Sequence, residues 1–236
     1  MFWDDGSLDI GAMRDAAGRL VGAHDFRNLC KMDLDAVCNF VRRIYAFTID
    51  PEDGPGGQEQ QLPATAAGAG RLWAFHVTGS AFLWHQVRCM AAVLLLIGRR
   101  LEAPSVMDAL LDVTAMPGKP AYDMAPEEPL VLCACGYDIG DGSSQLLEEF
   151  GPTPPRTLAL VEEHLRSQTR KYAVRAQIYA HALRAAQSSQ PTQGGGRHVP
   201  LLQRKREATF EEQVARRPPG KLKWLQASTH KETQPI

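Results

Sequence analysis

The 236-residue sequence has few of the features that mark a secreted, membrane or fibrous protein. Its five cysteines (Cys30, Cys38, Cys89, Cys133 and Cys135) are odd in number and lack framework spacing, so they read as reduced thiols. Cys133 and Cys135 have no second Cys or His pair near them, which argues against a zinc site. No apolar run approaches the roughly 20 residues that cross a bilayer. The longest, 89–97, has Arg88 and Arg99 at its ends. The first residues are acidic, without the basic start and apolar stretch of a secretion signal. The expectation is an intracellular protein, of the nucleus and/or cytoplasm, with no membrane partner.

What is present is a globular composition, 44% hydrophobic and 22% charged. The net charge of −1 hides an asymmetry. Residues 1–150 hold 11 Lys and Arg against 21 Asp and Glu, whereas residues 151–236 hold 15 against 6. A basic C-terminal part fits either a polyanion partner or a solvated tail.

Residues 8–20 read as a short helix, and 37–49, rich in Val, Ile, Phe, Thr and Tyr, as a strand. Gly, Pro and Ala dominate 51–70, which predicts a flexible surface insertion. The alternation of RLWAFHVT over 71–78 predicts a second strand. After the Gly79-Ser80 turn, Leu83, Val87, Met90, Leu94, Ile97 and Leu101 recur at spacings of three and four, the clearest helix in the chain. A further helix is expected over 106–113 and a buried strand over 130–137. Strands and helices in this order predict an α+β fold, an antiparallel sheet backed by helices. Leu158, Val161, Leu165, Tyr172 and Tyr179 then form a helical stripe beside Arg166, Arg170, Lys171, Arg175 and Arg184. The expected domains are 1–140, a basic helical extension over 141–186, and a linker with a basic tail over 187–236.

Four segments carry a resemblance. They are GAHDFRNLCK (22–31), GSAFLWHQVRCM (79–90), APEEPLVL (125–132) and VPLLQR (199–204). In this order they resemble the C-terminal half of a tRNA pseudouridine synthase of the TruA type, and most of all the eukaryotic branch acting on the anticodon stem–loop. The resemblance implies a cofactor-free isomerase whose partner is tRNA and whose fold is part of the synthase catalytic domain. It also implies a possible homodimer, or pairing with a full-length subunit. The family's nucleophilic Asp sits in an R-T-D-x-G-V-type motif, and no such string occurs in these residues. Neither does the family's R-x-Y-x-Y strand, which contacts the substrate. No catalytic residue is therefore assigned, and the expectation is a chain inactive alone. The alternative is a non-catalytic RNA-binding or subunit-pairing remnant.

By resemblance, Arg88 supports the active site by pairing with the nucleophilic carboxylate and holding it ionised. Read from spacing alone, it is a helix-surface arginine. Leu130 is implied as an apolar residue beneath the flipped base, or else an ordinary core leucine. His85, Gln86 and His24 are candidate RNA contacts, against the bland reading of satisfied structural groups. Phe82 and Trp84 either stack on a base or belong to the core. Asp25, beside His24, reads as a loop cap. Arg166, Arg170, Lys171, Arg175, Arg204, Lys205 and Arg206 are candidates for tRNA backbone contact, with a solvated face as the alternative. No metal site is expected.

Overall fold

In the computed structural model the described residues are 2–4, 6–35, 37–52, 71–138, 144–146, 155–187 and 198–217. They divide into two units, one formed by the chain to residue 61, by 70–129 and by 195 onward, the other by 62–69 and 130–194. Most of the predicted insertion, residues 53–70, lies outside the described residues.

The first unit is built on a four-stranded antiparallel sheet in the order β1-β4-β3-β2. Its strands are β1 (Phe2–Asp4), β2 (Gly22–Asp25), β3 (Val41–Pro51) and β4 (Arg71–Gly79). Strand periodicity places Ile44, Phe47 and Ile49 of β3 on the buried face, where Phe75 and Val77 of β4 join them. A bulge between Ile44 and Ala46 shifts the register by one and keeps Ile44 and Phe47 on the same side. The other face, with Tyr45, Thr48, His76 and Thr78, is open.

Helices α1 (Ile10–Arg19) and α2 (Gln86–Gly98) cover the buried face. Asp9 caps α1 by accepting from the Ala12 N–H at 3.0 Å. Met13, Ala16 and Ala17 turn its apolar stripe inward. Helix α2 buries eight of its thirteen residues, including Met90, Val93, Leu94 and Ile97. The short α3 (Val106–Leu111) packs beside the 3-10 turn Arg27–Leu29. Asn28 in that turn is fully buried and donates to the carbonyls of Leu110 and Met116, at 3.1 and 2.7 Å. Tyr122 in turn donates to the Asn28 carbonyl at 2.8 Å.

The expected basic tail is corrected in part. Residues 198–217 are a strap folded onto the rest of the first unit, because they carry apolar anchors as well as charge. Leu201 is fully buried, and Phe210, opening α5 (Phe210–Ala215), meets Phe40 edge-to-face at 5.2 Å. The Glu102 carboxylate accepts from His198 at 2.9 Å and from the Leu201 N–H at 2.6 Å. Backbone bonds join Ala121 to Lys205 and Glu207 to Lys119, so the strap runs alongside residues 119–121. Arg217 pairs with Asp35.

In the second unit, β5 (Gly136–Asp138) and β6 (Ser144–Leu146) form a separate two-stranded ladder, followed by α4 (Pro155–Gln187). The expectation of a buried strand over 130–137 is corrected here. Residues 130–135 are in no strand, and all are exposed, Leu132 at 78%. Among the described residues no ladder partner lies beside them, and an apolar run without a partner strand cannot enter a sheet. Only its last two residues, Gly136 and Tyr137, join a strand.

Among the described residues no helix is long and apolar enough to cross a membrane. Nor does any cluster of His, Cys, Asp or Glu among them suit a metal ion.

Candidate functional site

The head of α2 brings together residues from three of the four segments singled out above. The turn into the helix begins at Gly79, where a Cβ would lie 2.9 Å from the Arg43 carbonyl, so only glycine fits against β3. Leu83 is buried, and its N–H donates at 2.8 Å to Gln86 Oε1 while the Gln86 N–H donates back to the Leu83 carbonyl at 3.0 Å. His85, between these anchors, sits at φ 59° and ψ 13°. A non-glycine residue in this left-handed region stores on the order of 1 kcal/mol, which the surrounding latch must hold.

This geometry revises Gln86. Its side chain is fully buried and serves to close the turn, so it presents nothing to an RNA. His85 is half-buried, and its shielded Nδ1 has no hydrogen-bond partner among the described residues. Burial holds its pKa below the ordinary histidine value, and Arg88, Lys31 and Lys119 push the same way against Glu127. Its ring lies 4.7 Å from that of Trp84. The Trp84 carbonyl accepts from the Lys31 N–H at 2.9 Å, and Lys31 Nζ stands 4.5 Å from the Trp84 ring centroid.

Arg88, one turn into the helix, is held at both ends of its side chain. Nε donates to the Ala125 carbonyl at 2.7 Å, and Nη2 pairs with Glu127 Oε2 at 2.7 Å. The Ala125 N–H returns a bond to the Arg88 carbonyl at 3.2 Å. The bland reading of Arg88 as a helix-surface arginine therefore fails. Its side chain is 17% exposed and aimed by the main chain, whereas that of Glu127 is 69% exposed. Such a half-solvated pair contributes at most about 1 kcal/mol, so another anion can displace Glu127 at little cost.

Beneath the site, buried Cys30, Cys89 and Lys119 cluster with half-buried Tyr122, Lys119 Nζ lying 3.8 Å from Cys89 Sγ and 4.7 Å from the Tyr122 ring centroid. Burial pushes the Cys30 thiol up to about 12 and raises that of Cys89 as well. These thiols stay protonated at neutral pH and are not nucleophiles.

The remaining candidates lie elsewhere. His24 is on β2, with Nε2 3.0 Å from the Val21 carbonyl. Asp25 is capped by Arg27, whose Nη2 approaches it to 2.8 Å. Leu130 belongs to the second unit and is 51% exposed, which overturns the reading of it as an ordinary core leucine. Arg166, Arg170, Lys171 and Arg175 line α4, where all are exposed. Arg204 is turned inward in part, donating to the carbonyls of Val199 and Ala121 at 2.7 and 3.2 Å. Lys205 and Arg206 next to it remain exposed.

Sequence reasoning missed Lys31, Lys119 and Glu127. Lys31 and Glu127 lie inside the quoted segments (22–31 and 125–132), and the meeting of those segments at one helix end was the available signal. Lys119 had none, since buried lysines are rare.

The site is thus an α+β domain whose central helix opens on an oriented arginine. Comparison with known proteins makes the class definite. Residues 16–138 match the tRNA pseudouridine synthase family model, which is more than half of the sequence, and the chain belongs to that family. It is 46% identical over 139 residues to the human tRNA pseudouridine(38/39) synthase and 48% identical over 139 residues to the Bos taurus protein of the same name. Each alignment covers 58% of this chain and 28% of the relative. The Saccharomyces cerevisiae tRNA pseudouridine(38/39) synthase is 37% identical over 145 residues, or 61% of this chain and 29% of its own. The chain thus spans less than a third of the length of these curated relatives.

Proposed function

We propose that this chain carries the arginine-bearing part of a tRNA pseudouridine synthase, an isomerase that converts uridine to pseudouridine in the anticodon stem–loop without a cofactor. The observation that carries this reading is Arg88, which lies within the family match, is oriented by the Ala125 carbonyl and presents Nη2 to an exchangeable carboxylate. In the proposed chemistry an aspartate attacks the nucleotide and uracil leaves the ribose. The base then turns and rejoins through carbon as the aspartate is expelled, that carbon giving up its proton and the freed ring nitrogen gaining one. A guanidinium at that carboxylate keeps it ionised and aimed. Extracting the target base from its stack costs a few kcal/mol, least in a loop. Lys205, Arg206 and the arginines of α4 would supply salt-dependent affinity for the RNA backbone.

No R-T-D-x-G-V-type string occurs in these 236 residues. The purified chain incubated with unmodified tRNA is therefore expected to bind it, more weakly as salt rises, and to form no pseudouridine by primer-extension mapping. Absence of binding even at low salt would sink the reading. Pseudouridine made by the chain alone would make one of its own carboxylates the nucleophile, and Glu127→Gln and Asp25→Asn would show which.

A specific observation also favours pairing with a second subunit. Leu158, Leu165, Tyr172 and Tyr179 recur every seven residues along α4, and all are exposed. A reducing compartment, nucleus or cytoplasm, suits the five free cysteines.

A further inference from the structure

The sequence left Phe82 and Trp84 between core packing and base stacking, and their exposure separates the two. Phe82 is 40% exposed and Trp84 49%, while Leu83 between them is buried and Gln86 beyond them is fully so. The backbone enforces this division. Leu83 and Gln86 bond to each other and pin the turn, and left-handed His85 lies between Trp84 and the start of the helix. The indole is also held in place. Its own carbonyl accepts from Lys31, the Lys31 ammonium lies 4.5 Å from its ring centroid, and the His85 ring lies 4.7 Å away. A large aromatic that is 49% exposed and already immobilised offers its open surface at little further entropic cost.

The surrounding charge selects the occupant. Lys31 is the cation against the indole, Arg88 and Lys119 act on the neighbouring His85, and Glu127, the opposing carboxylate at His85, is already paired with Arg88. An exposed aromatic ring with a lysine against it fits a flat base on an anionic backbone better than it fits an apolar protein side chain.

We propose that Trp84, flanked by Lys31, is a stacking platform for an unpaired nucleobase of the bound RNA, separate from the contact that Arg88 makes. This inference rests on the RNA-modifying reading above. It adds a sequence-tolerant contact that distinguishes looped from fully paired RNA.

The test uses the full chain, a labelled RNA hairpin with an unpaired loop, and a blunt duplex of the same stem, compared by fluorescence anisotropy at one salt concentration. Trp84→Ala is expected to weaken hairpin binding about tenfold, the scale of one lost base stack, and to leave duplex binding unchanged. Trp84→Phe, which keeps a π-face, should retain most of the hairpin affinity, whereas Trp84→Leu, which keeps only apolar area, should not. Lys31→Ala should weaken both RNAs and lower the salt slope by about one. Unchanged hairpin affinity in Trp84→Ala overturns the platform, as does equal loss on both RNAs or a Trp84→Leu variant as good as Trp84→Phe. Wild-type chain that binds neither RNA fails the underlying reading instead, so the two failures are distinguishable.

Discussion

Helices α2 and α4 both carry an apolar stripe, yet one lies in the core and the other in water. In α2, eight of thirteen residues are buried. Along α4 every described side chain is exposed except that of Gln168, which is half-buried. The stripe of α2 meets complementary surfaces, because Met13 and Ala16 of α1 and Ile44, Phe47 and Ile49 of β3 share its cluster. The stripe of α4 has no such complement among the described residues of its own unit. Its length of 33 residues exceeds the roughly 12–15 at which an isolated helix becomes marginal in water. Local propensity can therefore hold α4, whereas α2 depends on packing.

That difference is broken most sharply by truncating one leucine in each helix. Leu94 is fully buried, so Leu94→Ala removes its transfer energy and leaves a cavity. Unfolding in urea should show a loss of about 2–5 kcal/mol. Leu165 is exposed, and Leu165→Ala should stay within about 0.5 kcal/mol. A comparable loss at Leu165 would show that its stripe is covered in solution, in line with the subunit pairing proposed for α4.

The strap 198–217 sharpens the comparison from the other side, being a basic segment that docks instead of standing free. Glu102 gathers His198 and the Leu201 N–H onto one carboxylate oxygen, and its side chain is 7% exposed. Glu102→Ala would leave the Leu201 N–H without its partner, a loss of about 1–3 kcal/mol. Limited proteolysis reads it directly, since cleavage within 198–217 should speed up while α2 stays protected. Unchanged protection of the strap would show that Leu201 and Phe210 hold it without the carboxylate.

These regions also show which parts of the structure the sequence revealed. Helix α2 was plain, because a three–four spacing over six apolar residues satisfies one template only. Strands β3 and β4 followed from β-branched content and alternation. Strands β1 and β2, of three and four residues, were too short to display a period, and the sheet alone defines them. The run 130–135 misled because its composition fits a buried strand, while burial depends on a neighbour that composition does not contain. Within the site, Arg88 was identified by motif. Its geometry was not, since Ala125 and Glu127 lie 37 and 39 positions away along the chain.

The smallest expected effect concerns the site's own electrostatics. Folding holds His85 below its ordinary value of 6.5, chiefly by burial and then by Arg88 and Lys31. As pH falls, the unfolded chain therefore takes up this proton before the folded one does. The contribution of neutral His85 to stability is complete above the ordinary value and is lost as pH falls through the lowered one. A proton-NMR titration of the His85 ring should give a midpoint below the ordinary histidine value of 6.5. Lys31→Gln removes one of the cations and should move the midpoint upward, whereas Glu127→Gln removes the opposing carboxylate and should move it further down. If both substitutions shift it in the same direction, the charges around His85 act through a change of conformation, and the head of α2 is less rigid than its bonds to Leu83 and Ala125 imply.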